Sequence, residues 1–388
     1  MERNRWYISR RAEEGIPLLR TAARQQPEIQ RTERMTREAF EQQILLHLQE
    51  QQRRYPAMEQ QDVVKFVFQA MLGVGHLLSS RGVAEEGIAV EMNLLSADPA
   101  EPLYEELSPA WCRLSLRSAK EKGITPSVIA GLMFSSGDSM RFTRKDVFMF
   151  CTALAASGCP LITDPDALGL IMEETWLPSH SPGCREQYHT AYRVISADWI
   201  PCMETIRSIA AQQADRVLVT IDGPCASGKT TLADRLAVVF NAAVVHTDDF
   251  VIPHAQKTPE KLAVPGGNCD ADRLLREVVA PWKRGVPVRY RKYDCRNDRL
   301  LPEEKLPDCR TLILEGSYCN LPVIREYADV RIFVNASRET RIRRLQQRES
   351  EQSMKMFRDR WIPLEDLYFR SFMLPDRQCI VLDGNTEK

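Results

Sequence analysis

The chain has no apolar run of 18 residues, no C-x-x-C pair and no internal repeat. Without the long run it contains no transmembrane helix by sequence, and without paired cysteines it has neither a structural zinc motif nor a redox pair. The eleven cysteines are odd in number and scattered. Such usage fits reduced thiols and a cytoplasmic setting rather than a disulfide framework. Charge of one sign is lacking too: 52 basic residues face 53 acidic ones, a formal net charge of −1. No electrostatic footprint for nucleic acid or a membrane surface follows from that balance. The opening Met1-Glu-Arg-Asn-Arg-Trp6 is basic with no apolar stretch behind it, which argues against a signal peptide.

What is present divides the 388 residues into three parts. Residues 1–38 are rich in Arg, Glu and Gln and read as a flexible or helical extension. Residues 39–205 carry helical signals and read as an all-helical domain. Asp62–Leu72 has helical spacing, with Gly73 and Gly75 at its exit. Thr125-Pro126 places a cap before a first-position proline, and Thr143 with Asp146 three residues on is a capping pair. From residue 206 the pattern changes. After a connecting helix over 206–215, short apolar runs (217–221, 243–246, 311–314, 330–334 and 379–382) alternate with helical stretches. That alternation predicts right-handed βαβ crossovers and an α/β domain, a parallel sheet with helices on both faces, over 206–388.

The chemistry concentrates after the first of these runs. Gly223-Pro224-Cys225-Ala226-Ser227-Gly228-Lys229-Thr230 has the form G-x-x-x-x-G-K-[ST]. A strand precedes it, and an amphipathic helix from Thr231 follows. The two glycines permit backbone shapes and close approaches that a side chain blocks. Loop amides and the helix N-terminus then surround phosphates. In this motif Lys229 reaches the β/γ-phosphates and the Thr230 hydroxyl holds Mg²⁺. Asp248 and Asp249 lie at the carboxyl end of the next predicted strand, facing the same crevice. A carboxylate beside Mg²⁺ is the usual acceptor for a hydroxyl proton in phosphoryl transfer, and Asp248 and Asp249 are both candidates for that base. Glu315 ends a third run next to the metal region, so Thr230, Asp248 and Glu315 form the candidate metal set. Arg341, Arg344 and Arg348 recur at i, i+3 and i+7 on one helix face, suited to the charge of a transferring phosphoryl group.

The segments GPCASGKTTLA, Asp248-Asp249-Phe250, Leu314-Glu315-Gly316 and R-I-R-R-L-Q-Q-R-E at 341–349 resemble the uridine kinase and phosphoribulokinase group of P-loop kinases. Stretches at 265–270, 290–295 and 361–369 are similar to a bacterial branch of uridine kinase-like proteins. The resemblance covers about residues 214–388. It implies that Asp248, the Asp of the D-x-F element, accepts the proton and that the Arg341, Arg344 and Arg348 helix is a lid over ATP. Uridine–cytidine kinases follow Y-D with a segment containing a base-reading His. Here Tyr293-Asp294 leads into Cys295-Arg-Asn-Asp-Arg299, so Tyr293, Asp294 and Arg299 stand as acceptor-lining candidates with no base reader.

The expected function is therefore ATP- and Mg²⁺-dependent phosphorylation of a small hydroxyl compound, a nucleoside or related acceptor. The alternative is a module in which ATP binding controls the helical domain. The absence of N-K-x-D disfavours a GTPase, and oligomeric state stays open. In the helical half, Arg185, Tyr188, His189 and Tyr192 fall at i, i+3, i+4 and i+7, the spacing of one polar-aromatic helix face. His76, His180 and His189 are histidines without a metal-binding spacing.

Overall fold

The computed structural model describes residues 35–73, 80–136, 142–173 and 175–385. Most of the expected N-terminal extension, and His76, lie outside the described residues. The first described helix, α1, spans Arg37–Arg54, capped by the Thr36 hydroxyl. It is followed by α2 (Gln60–Leu72) and α3 (Arg81–Leu94). Next come α4 (Pro126–Ser135), with Thr125 capping and proline in the first turn, and α5 (Arg144–Ala156), where Thr143 and Asp146 form the reciprocal capping pair. Local chemistry starts these helices where the sequence says it should, because each cap satisfies amides that the first turn leaves free. None of the helices among the described residues is long and apolar enough to cross a membrane.

The N-terminal half opens with the helices α1, α2 and α3 as expected, but the all-helical expectation needs correction beyond them. Strands β1 (Tyr104–Glu106), β2 (Trp111–Ser115) and β3 (Tyr192–Ser196) form an antiparallel sheet in the order β1-β2-β3. β2 is buried at every position. A strand covered on both faces loses the period-2 alternation that identifies one. Its partner β3 is also remote in sequence, so no local hairpin signal announces the pair.

The second sheet has five parallel strands: β4 (Val217–Asp222), β5 (Ala243–His246), β8 (Thr311–Glu315), β9 (Val330–Asn335) and β10 (Cys379–Asp383), in the order β10-β9-β4-β8-β5. All five are the predicted apolar runs. Between β5 and β8 a two-stranded antiparallel hairpin, β6 (Arg289–Asp294) and β7 (Arg299–Lys305), stands outside the sheet. Around the sheet lie α7 (Met203–Ala210), α8 (Lys229–Phe240), α9 (Arg338–Arg348) and α10 (Ile362–Ser371).

One hydrophobic cluster runs through both halves, from Phe40 and Phe66 through Ile129 and Ile206 to Leu232, Val239 and Leu382. Its crossing point is the packing of α4 on α8. A Cβ on Gly131 would sit 2.3 Å from the Val239 carbonyl oxygen, so only glycine lets these helices approach this closely. Arg81 donates to the Val239 carbonyl at 2.8 Å, satisfying a group at the end of α8. The Arg235 guanidinium lies 4.1 Å from the Trp199 ring centre. The expected boundary near residue 206 is thus a change of architecture crossed by shared apolar packing.

Candidate active site at the phosphate loop

The parallel register brings the site together before any side chain acts. Ile221 pairs with Glu315, and His246 pairs with the same Glu315. The carboxyl ends of β4, β8 and β5 therefore come into line, which is where an open parallel sheet presents ligand-binding groups. Between β4 and α8 lies the loop Gly223–Gly228. Gly223 has φ +138°, and a Cβ there would meet the Val334 carbonyl oxygen at 2.3 Å. Ala226 and Gly228 also take positive φ, and Gly228 is the N-cap of α8. Pro224, Cys225, Ser227, Thr230 and Thr231 complete this loop and the first turn of α8.

Lys229 is buried, its ammonium donating to the Pro224 carbonyl at 3.0 Å. The Thr230 hydroxyl donates to Glu315 Oε1 at 3.0 Å, and Glu315 Oε2 lies 2.7 Å from His246 Nδ1. Burial pushes the Glu315 pKa up, but the His246 bond and the Lys229 charge outweigh it and leave the carboxyl below its ordinary value. The same hydrogen bond raises the His246 pKa.

Asp248 and Asp249 follow β5 in a short 3₁₀ turn (Thr247–Phe250) and face different neighbours. Asp248 is solvent-accessible at the crevice. The crevice walls raise its pKa by displacing water, Glu315 adds to the rise, and Lys229 opposes it. Asp249 is half-buried, and its Oδ2 is buried without a hydrogen-bond partner among the described residues. Burial raises it as well, against the opposing charge of Lys292 on β6. The accessible carboxylate thus sits in the field of the loop lysine, and the half-buried one in the field of the hairpin.

Of the three predicted arginines on α9, two reach the loop. Arg344 donates to the Ala226 carbonyl at 3.1 Å, and Arg341 Nη1 lies 3.7 Å from Cys225 Sγ. Arg348 is exposed and pairs with Glu349 at 3.2 Å. The i+7 spacing carries it past the loop edge. Arg341 Nε and Ser227 Oγ are buried without hydrogen-bond partners among the described residues. Unspent donors at a glycine-shaped loop over a helix N-terminus are the chemistry that a polyphosphate satisfies.

The three acceptor candidates are brought to the hairpin tip. Asp294 accepts from the Arg296 and Asn297 amides and from Asn297 Nδ2, fixing the β6–β7 turn. The Tyr293 hydroxyl bonds Asp298, and Arg299 is exposed, paired in register with Asp294. Tyr290 on the same hairpin stacks on Phe250, which ties the hairpin to the Asp248 turn.

Sequence reasoning missed a buried network behind the loop. Asp222, fully buried, accepts from the Gly223 amide at 2.7 Å, the Tyr368 hydroxyl at 2.7 Å and the Asn320 amide at 3.1 Å. Burial pushes its pKa up to about 6 despite these donors. Glu365 on α10 accepts from the Cys225 amide at 2.9 Å and from the Ser317 hydroxyl at 2.6 Å. Glu365 and Tyr368 lie in the 361–369 stretch that carries part of the resemblance, and their three-residue spacing on one helix was the available signal.

Residues 218–353 match the family model described as Phosphoribulokinase / Uridine kinase family. No curated protein matches the chain. Among solved structures, a possible uridine kinase from Bacillus stearothermophilus is similar at 20% identity and a TM-score of 0.37, covering 48% of this chain and 96% of that one. D-glycerate 3-kinase from Cryptococcus neoformans var. grubii is similar at 14% identity and a TM-score of 0.36, covering 48% and 94%. A sugar kinase from Janibacter sp. HTCC2649 is similar at 21% identity and a TM-score of 0.24, covering 44% and 86%. As the motif resemblance implied, the match to this family model falls in the C-terminal region, and residues 218–353 carry a kinase-like P-loop domain.

Proposed function

We propose that the protein is an ATP- and Mg²⁺-dependent phosphotransferase acting on the hydroxyl of a small molecule, uridine kinase-like in its machinery. The observation that carries this reading is the convergence of Lys229, Thr230, Glu315 and Asp248 at the ends of three adjacent parallel strands. Bound Mg·ATP would supply the transferable phosphoryl group. The loop amides and Lys229 hold the phosphates, and the unspent Arg341 Nε and Ser227 Oγ fit that role. Thr230 and Glu315, already joined, hold the metal with Asp248. Asp248 takes the acceptor's proton: it is accessible, and its raised pKa brings it closer to what a general base at neutral pH requires. Arg341 and Arg344 neutralise developing charge from α9.

The acceptor is a nucleoside or a related small hydroxyl compound. Asp294 and Tyr293 are spent on the hairpin turn, so acceptor contacts fall to other groups near Asp248. A panel of nucleosides, sugars and hydroxy acids assayed for Mg²⁺-dependent ADP formation tests the reading. At least one compound is expected to raise ADP release well above bare hydrolysis. A panel with no stimulation would leave the alternative, a nucleotide-dependent regulatory module. The contact of Arg81 and Trp199 with α8 favours that second reading, since it links the N-terminal half directly to the helix that starts at the phosphate loop.

A further inference from the structure

A cavity of about 280 Å³ lies in the N-terminal half, lined by residues of α1, α2, β2, α6 (Pro182–Tyr188) and β3, and by none of the phosphate-loop region. The expected helix face does not exist as such: α6 ends at Tyr188, His189 is left-handed, and Tyr192 belongs to β3. Yet Tyr188, His189 and Tyr192 all line this one cavity.

Its floor holds an imperfectly neutralised cation. The Arg113 side chain is 7% exposed. It donates to two neutral amide oxygens, Gln69 Oε1 at 2.9 Å and Gln51 Oε1 at 2.9 Å. Glu105 lies 3.7 Å away, beyond hydrogen-bond length, and bonds Arg54 at 2.9 Å instead. Burying a charge without a bonded counter-charge is costly, and such charges are ordinarily paired. Arg117 adds a second guanidinium to the lining, 3.9 Å from Glu101. Lys65 stands within electrostatic reach of Arg113 and is pressed down to about 8, first by burial and then by that like charge.

The acid of the floor keeps its charge but turns its oxygens to partners other than Arg113. Asp62 accepts from His180 Nδ1 at 2.8 Å, the Ser181 amide and hydroxyl, and the Glu59 amide. His180 Nε2 lies 2.6 Å from the Tyr192 hydroxyl, so both imidazole nitrogens are engaged. Asp62, His180 and Cys184 bring potential metal-ligand atoms within 4.8 Å of one another. A cation there would have to displace these bonds beside Arg113, at a thiol that burial has pushed up to about 12. The Tyr55 and Tyr188 rings meet edge to face at 4.9 Å and supply a flat apolar wall.

We propose that this cavity is a second small-molecule site, taking a small organic anion whose oxyanion meets Arg113 and Arg117 and whose body lies against the tyrosine rings. The inference is independent of any activity at the phosphate loop. Calorimetric titration of the full chain with 4-hydroxybenzoate, phenyl phosphate and the uncharged 4-hydroxybenzamide tests it. At least one anion binds and the amide does not, the responding member distinguishing a carboxylate from a phosphate ester as the natural group. Arg113→Gln and the rim variant Arg117→Gln each weaken binding by about tenfold or more. Melting temperature checks the fold of each variant, and Arg117, partly exposed, keeps the test valid if Arg113→Gln does not fold. Binding of neither anion, equal binding of the amide, or affinity untouched by the Arg117 change overturns the proposal. So does stoichiometric Zn²⁺ uptake that Cys184→Ala abolishes while both anions fail to bind.

Discussion

Glu315 accepts the Thr230 hydroxyl with one oxygen and meets His246 with the other, so a single carboxylate orients both side chains. The pair has a defined pH signature. His246 has a raised folded-state pKa, so its contribution is complete below the unfolded value of about 6.5 and is lost as pH rises through the higher folded value. Glu315 has a lowered folded-state pKa, so its contribution is present above about 4.3 and is lost as pH falls through the lower folded value. Both groups are in their favoured charge states between those limits. An NMR titration should give His246 a pKa above 6.5, and Glu315→Gln should bring it down; an identical value in both proteins contradicts the pairing. The His246 side chain is 39% exposed, so the expected effect is a shift in titration and little change in global stability. The two aspartates are separable in the same region. Asp248→Asn should reduce phosphoryl transfer by at least about a hundredfold with nucleotide still bound, since the amide cannot accept the proton. Asp249→Asn should be much milder; the reverse order would move the base to Asp249.

Elements place these residues, and the phosphate-loop helix α8 is the element both halves share. Gly131 on α4 lies where a Cβ would press on the Val239 carbonyl. Gly131→Ala should therefore cost about 1–3 kcal/mol of stability, read as a fall in denaturant midpoint at unchanged slope. An unchanged midpoint would show that α4 can move off α8 freely. On α9, Arg344→Ala should impair transfer and Arg348→Ala should not, because only the first reaches loop carbonyls. Much of this half was legible in the sequence: strands β4, β5, β8, β9 and β10 are the five apolar runs, and the loop motif needs its strand and helix. The buried Asp222–Tyr368 and Glu365–Ser317 contacts were not, because they join residues 146 and 48 positions apart through the fold alone. The β1-β2-β3 sheet escaped for the same physical reason, a buried strand paired with a distant one. The Tyr188–Tyr192 stretch was singled out by composition, but helical spacing gave it the wrong geometry.

At the scale of the molecule, apolar packing runs without a break from α1 to β10. We propose that 39–205 and 206–388 are two architectural units joined by one core, and thermal unfolding of the full chain should then show a single cooperative transition. Two resolved transitions would mean that each unit holds its own stability. The central claim is that this assembled crevice transfers a phosphoryl group to a hydroxyl, rather than merely binding nucleotide. The most direct measurement is the fate of the γ-phosphate of labelled ATP, with Mg²⁺ and the acceptor panel, in wild type and Lys229→Ala. Label recovered in an organic phosphate ester by wild type, and reduced at least about a hundredfold by Lys229→Ala, is the predicted result. Label appearing only as inorganic phosphate whatever the acceptor, or an ester yield that Lys229→Ala leaves intact, would contradict it.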